Sequence, residues 1–240
     1  MRFDILTLFP NIFSGFLSES LIKKAIDKDL LKVNLINFRD YSTNKHKTVD
    51  DYAYSGGAGM LISVEPIHKA LVDIEGFEKA HKILLSPSGV TFNQQKAQEL
   101  SQKEHIILIC GHYEGIDDRI HNYIDEEISI GDFVLMGGEI PAMAIIESTI
   151  RLVGAINPDS IIEESFSNNL LEYPQFTKPY EYEGHTVPDV LVNGNHKLIE
   201  EWKRYESLKK TYLIRPDLLK NANLSLKDYQ ILWRIKNENK

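Results

Sequence analysis

The residues best suited to chemistry lie between Ile106 and Pro141, where two glycine-bearing loops each follow a short apolar run. Ile106-Ile-Leu-Ile-Cys110 leads into Gly111-His-Tyr-Glu-Gly115, and Ile128-Ser-Ile-Gly-Asp-Phe-Val-Leu-Met136 leads into Gly137-Gly-Glu-Ile-Pro141. A weaker copy lies upstream, where Lys82-Ile-Leu-Leu-Ser86 runs into Pro87-Ser-Gly89. Runs rich in Ile, Leu and Val that stop at glycine read as buried strands of a parallel sheet. Glycine after a strand turns the backbone with positive φ and leaves its N–H groups open to a ligand. Three such loops at the carboxyl ends of adjacent strands would form one crevice, the usual ligand position in an open α/β sheet. Tight turns that hold no ligand would place glycine in the same way.

A second constellation lies near the C-terminus. The chain carries a formal charge of −8, unevenly distributed. Residues 1–160 hold 15 Lys and Arg against 23 Asp and Glu, whereas residues 195–240 hold 11 against 6. The basic tail includes Trp202-Lys-Arg-Tyr205, Lys209-Lys210 and Arg215. Basic residues interleaved with aromatics suit a phosphate backbone, and they equally suit a solvated helix.

The elements that must carry these residues follow from patterning. Phe3-Asp-Ile-Leu-Thr-Leu-Phe9 reads as a first strand ended by Pro10-Asn11, and Ser20 to Ile26 as a helix. Leu31 to Phe38 reads as a second strand, followed by a long polar segment over residues 39–59 that ends in Ser55-Gly-Gly-Ala-Gly59. Loops of that length are uncommon in compact domains unless they are functional. Helices are expected from Val64 to Ile74 and from Asn93 to Lys103, each leading into the next apolar strand. Pro141 suits a first helical position, which predicts a helix from Ala142 to Val153. Strand and helix alternate, so the fold class is α/β with a mostly parallel sheet. After Gly154 the pattern changes: residues 161–174 have no sustained period, and residues from His196 onward regain helical spacing. The expected organisation is an α/β domain over 1–156, a linker over 157–176 and a small all-helical domain over 177–240.

At 240 residues, 42% hydrophobic and 26% charged, the composition is that of an ordinary globular protein. Asp4, Pro10 and Asn11 interrupt the N-terminal apolar stretch, so it does not read as a signal peptide. No uncharged run approaches the roughly 20 residues of a membrane helix, so no membrane partner is expected. Cys110 is the only cysteine, which excludes an intramolecular disulfide and a cysteine-based metal cluster; a cytoplasmic location is expected. No Gly-x-Gly-x-x-Gly follows the first strand, which argues against a dinucleotide-dependent oxidoreductase.

The motifs together resemble one family. Leu8-Phe-Pro10, Arg39-Asp40, His46-Lys-Thr-Val-Asp-Asp51, Gly59-Met60, Leu85-Ser-Pro87 and Cys110-Gly-His-Tyr-Glu-Gly-Ile-Asp117 occur in order. They are followed by Ile124-Asp-Glu-Glu127, Ser129-Ile-Gly-Asp132, Gly137-Gly-Glu139, Pro141-Ala142, Ser165-Phe166 and Gly194-Asn-His196. On these residues the sequence resembles the bacterial tRNA (guanine-37-N1)-methyltransferases of the knotted α/β SPOUT class, nearly end to end. The resemblance implies a trefoil knot in the cofactor-binding loops, S-adenosylmethionine as methyl donor, dependence on Mg2+, and a homodimer. It implies tRNA with guanosine at position 37 as the substrate, bound in part by the helical C-terminal domain.

Carried over by position, the cofactor contacts would be Pro87, Gly111, Tyr113, Glu114, Ile130, Gly131, Asp132, Phe133, Val134, Leu135, Gly137, Gly138 and Pro141. Glycine backbone groups can read adenine and ribose while Ile130 and Leu135 supply apolar walls. The segment 39–59 would face the tRNA. Arg39, Lys45, His46 and Lys47 can contact phosphates, Asp50 can accept from a guanine edge, and Gly57 and Gly59 let backbone approach a base. The chain has Ala58 and Ser55 where the family usually has proline and glycine. No metal cluster has diagnostic spacing, and Glu114 is the candidate for placing Mg2+ near the cofactor.

Guanine N1 carries a proton, so methylation there needs a base and a donor for charge developing on O6. The resemblance places these roles on Arg151, at the end of the helix after Gly-Gly-Glu, and on Glu164, just before Ser165-Phe166. The family usually has aspartate at the base position; Glu163 is the neighbouring alternative. Two other readings remain: a SPOUT RNA methyltransferase acting on another base or on ribose, and an RNA-binding homologue weakened in catalysis by the Asp-to-Glu change.

Overall fold

The computed structural model describes residues 1–157, 161 and 164–238. Two compact units divide the chain, residues 1–157 and residues 158–240.

The first unit is built on β1 (Arg2–Thr7), whose apolar residues alternate between two faces. The other elements of its main sheet are β2 (Lys32–Asn37), β5 (His81–Thr91), β6 (His105–Cys110) and β7 (Glu126–Ser129). The sheet order is β2-β1-β6-β5-β7, and every pairing is parallel. Side chains alternate across a strand, so Phe3, Ile5, Ile106, Leu108 and Cys110 share one face. There they pack under α2 (Ser20–Asp27), α4 (Gln94–Ser101) and α5 (Glu139–Ile150), which contribute Ile22, Leu100, Ile145 and Ile146. Leu6, Leu84, Ile107 and Ile109 point the other way, onto Ile67, Ala70 and Leu71 of α3 (Val64–Asp73). A sheet covered on both faces needs unbroken apolar strands, which is why β6 reads Ile-Ile-Leu-Ile. A short helix α1 (Ser14–Ser18) precedes α2, and β3 (Asp50–Asp51) pairs antiparallel with β4 (Leu61–Ile62) outside the main sheet.

Three expectations are corrected here. β5 does not stop at Ser86 but continues to Thr91, with an irregularity between Leu85 and Val90 that absorbs Pro87 and Gly89. A bulge keeps the strand paired while relaxing the ladder where proline has no N–H to give. The apolar run 128–136 is strand only to Ser129; Ile130 to Met136 form a loop in which Phe133, Val134 and Met136 stay exposed. Helix α5 begins at Glu139, so Pro141 is its third residue, still within the first turn where a missing N–H costs no helical bond.

The second unit is not all-helical. A two-residue hairpin, β8 (Glu181–Tyr182) with β9 (His185–Thr186), precedes α6 (His196–Ile214) and α7 (Leu226–Glu238). The two helices close on Leu170, Leu208 and Ile235. Ser225 and Asp228 cap α7 reciprocally: the Asp228 carboxylate accepts from Ser225 N at 2.8 Å, and Ser225 Oγ accepts from Asp228 N at 3.2 Å. From residue 164 onward the expected linker belongs to this unit, because Leu171 N donates to Thr211 Oγ1 and Ser207 Oγ donates to Leu171 O, docking the segment on α6. Among the described residues no helix is long and apolar enough to cross a membrane.

Candidate active site

Beside the Leu85–Val90 irregularity of β5 and the carboxyl ends of β6 and β7 the chain opens into a cavity of about 700 Å³. Pro87, Gly111, Tyr113, Glu114, Ile130, Gly131, Phe133, Val134, Leu135, Gly137, Gly138 and Pro141 all line it. Asp132 is exposed and does not. The walls are held by backbone. Gly138 N donates to Gly111 O at 3.0 Å, and His112 and Gly137 form an antiparallel bridge. Glycine edges beside the apolar walls of Ile130, Leu135 and Pro141, at this volume, suit a small ligand with a polar rim, as an adenosine moiety has.

Titratable side chains meet the cavity as well. Asp118, His121 and Glu127 line the cavity, and His121 hydrogen-bonds the Asp118 carbonyl at 2.9 Å and Glu127 at 3.4 Å. The Asp118 carbonyl first, and the Glu127 carboxylate after it, raise the His121 pKa above its ordinary value. Beneath the cavity floor, burial pushes the Cys110 thiol far up, with the charge of Glu139 adding to it.

The polar segment is tied to the cavity. Ile62 of β4 bridges Ile116, its N–H bonds Gly115 O at 2.9 Å, and Glu114 N bonds Met60 O at 3.2 Å. Gly59 adopts a φ of +90°, and a side chain there would collide with Glu114. Arg39 is half-buried and donates to Lys47 O at 3.3 Å, His46 and Gly57 are exposed, and Asp50 lies in β3. Tyr41 donates to Asp73 at 2.6 Å, a bond that pushes its hydroxyl up to about 12 and pins the segment to α3.

The two residues assigned to catalysis sit in different units. Arg151 opens a single turn, Arg151–Val153, at the end of α5. Glu164 is half-buried and lines a second, smaller cavity of about 260 Å³, together with Leu170, Tyr173, Arg204 and Ser207. Glu163 lies outside the described residues. Among the described residues no group of three or more His, Cys, Asp or Glu side chains is placed to hold a metal ion, so they offer no cage for Mg2+.

Sequence reasoning gave Thr7 no role, and noticed His112 and Glu139 only as parts of motifs. Glu139 is buried, accepts from Thr7 Oγ1 at 2.6 Å and from His112 Nε2 at 2.8 Å. The only sequence signal was the shared glycine setting of Gly111-His112 and Gly138-Glu139.

Residues 1–221 match the family model described as tRNA (Guanine-1)-methyltransferase TrmD. A protein named tRNA (guanine-N(1)-)-methyltransferase from Dictyoglomus turgidum is 52% identical over 240 residues, covering 99% of this chain and 98% of the relative. Proteins of the same name from Geobacillus kaustophilus and Latilactobacillus sakei are 51% and 50% identical; the matches cover 99% of this chain and 100% and 98% of those relatives. With the match running across nearly the whole chain, the protein belongs to the tRNA (Guanine-1)-methyltransferase TrmD family.

Proposed function

We propose that this chain transfers a methyl group from S-adenosylmethionine to N1 of guanosine 37 in tRNA, beside the anticodon. The observation that carries the reading is the glycine-walled cavity at the strand ends, to which the polar segment is stitched through Ile62 and Glu114. S-adenosylmethionine, when bound, supplies an electrophilic methyl group on sulfur. Backbone groups of Gly111, Gly131 and Gly137 would hold its polar atoms, and Ile130 and Leu135 would exclude water from them. The loops around it are proposed to form the trefoil knot of the SPOUT class.

Glu164 is the proposed base and takes the N1 proton as N1 gains its methyl group; Arg151 offsets charge on guanine O6. Glutamate and aspartate differ little in intrinsic pKa, about 4.3 against 3.9, so the substitution changes reach rather than basicity. Arg39, His46, Asp50, Gly57 and Gly59 are proposed to meet the tRNA, along with the basic helices of the second unit. Phe133, Val134 and Met136 of the cavity's lining loop are exposed, as is Ile140 of α5, and apolar side chains so placed support a second copy of the chain as their cover and hence a homodimer. No step is assigned to Mg2+, for which the described residues place no group of three or more His, Cys, Asp or Glu side chains.

The test is methyl transfer from labelled S-adenosylmethionine to a transcript with guanosine 3′ of the anticodon, against the same transcript with adenosine there. Label confined to guanosine N1 supports the reading. Label on both transcripts points to another SPOUT reaction, and donor binding without label points to an RNA-binding homologue.

A further inference from the structure

The least economical feature of the first unit is a buried carboxylate. Glu139 is only 3% exposed, at the first position of α5. A glutamate in the first turn already gains from the helix dipole, and an exposed one would do so without desolvation. This one is buried and fully used. One oxygen accepts from Thr7 Oγ1, at the end of β1, at 2.6 Å. The other accepts from His112 Nε2, in the cavity wall, at 2.8 Å. Thr7 Oγ1 in turn accepts from Phe9 N at 2.9 Å, and the Phe9 ring meets the His112 ring edge-on at 4.7 Å.

Three chain segments distant in sequence therefore converge on one carboxylate: the end of β1, the 111–115 loop and the start of α5. His112 sits between Gly111 and Tyr113, both of which line the cavity. Tyr113 is held at a φ of +59°, a region that a tyrosine occupies only under external restraint. His112 also pairs with Gly137 through the backbone, so a held ring and a held backbone restrain the peptides on either side of it.

We propose that Glu139, oriented by Thr7, is a positioning residue that sets the Gly111–Tyr113 backbone for the methyl donor by holding His112. The inference rests on reading the cavity as the donor site. Thr7→Val keeps the shape of the side chain and removes its hydroxyl, leaving a Glu139 oxygen buried without its donor. Thr7→Ser restores the hydroxyl.

The experiment is calorimetric titration of the full chain and both variants with S-adenosylhomocysteine, paired with steady-state methylation. The Thr7→Val variant should bind about tenfold more weakly, and Thr7→Ser within about twofold of the parent. KM for the donor should rise in parallel in Thr7→Val, while kcat at saturating donor stays within about twofold. Equal binding by Thr7→Val and the parent, equal impairment of both variants, or a fall in kcat matching the rise in KM would overturn the proposal. Absence of S-adenosylhomocysteine binding by the parent chain would instead overturn the donor reading on which it rests.

Discussion

A Cβ on Gly138 would lie 2.7 Å from Cys110 Cα, closer than the two loops allow. The end of β6 and the start of α5 touch backbone to backbone, and the cavity wall exists because nothing projects between them. Gly138→Ala must push these segments apart. The expected cost is about 2 kcal/mol of stability, with loss of S-adenosylhomocysteine binding; thermal denaturation and calorimetry check both.

Removing the proposed base separates it from its neighbour. Glu164→Gln should lower the single-turnover methylation rate by roughly a hundredfold or more, within the range of general-base effects. Glu163→Gln should leave it within about twofold. Rapid-quench measurements at saturating tRNA decide the assignment, and an unchanged rate in Glu164→Gln would refute it.

Acid should weaken the second unit, and the most buried contributor is one ion pair. Arg204 binds Asp228 with two bonds of 2.8 Å and, with Ser225, holds its carboxyl well below the ordinary range. A depressed carboxyl contributes stability above its unfolded value, about 3.9, and loses it as pH falls toward the folded value. Stability should therefore decline below about pH 4, and Asp228→Asn should remove this carboxyl's share of that slope at a cost of about 2 kcal/mol near neutrality. Trp202 and Trp233, the only tryptophans, both lie in this unit, so urea titration by fluorescence reads it selectively.

Cys110 should resist modification. It is fully buried and its thiol is pushed far up, which withholds the reactive thiolate. Maleimide at pH 8 should label the denatured chain fully and the native chain negligibly over the same hour.

What the sequence made legible was whatever local pattern controls. Apolar runs announced β1, β5 and β6, and glycine after them announced the crevice, because burial on both faces and tight turns leave marks within a few residues. Pattern failed where long-range geometry decides. Pro87 and Gly89 read as a turn, yet neighbouring β7 holds them in a bulged strand. Ile130 to Met136 read as buried because apolar residues usually are, yet this loop presents Phe133 and Met136 outward. Residues 164–173 carry no period, being docked by hydroxyls of Ser207 and Thr211 rather than by an apolar stripe. Thr7 and Glu139 are 132 residues apart, and no spacing rule pairs two such groups. The roles given to Glu164 and Arg151 came from resemblance alone.

The strand order carries a consequence for biosynthesis. β1 lies at the inner seam of the sheet, paired on one side with β2 and on the other with β6, so that Arg2 waits for His105. β1 and β2 can meet early on the ribosome, but the seam with β6 cannot close until translation has passed Cys110. Until then Phe3 and Ile5 have α2 beside them but lack β6, α4 and α5. Contacts so remote in the chain slow folding, and here they hold back closure of the sheet until β6 has emerged.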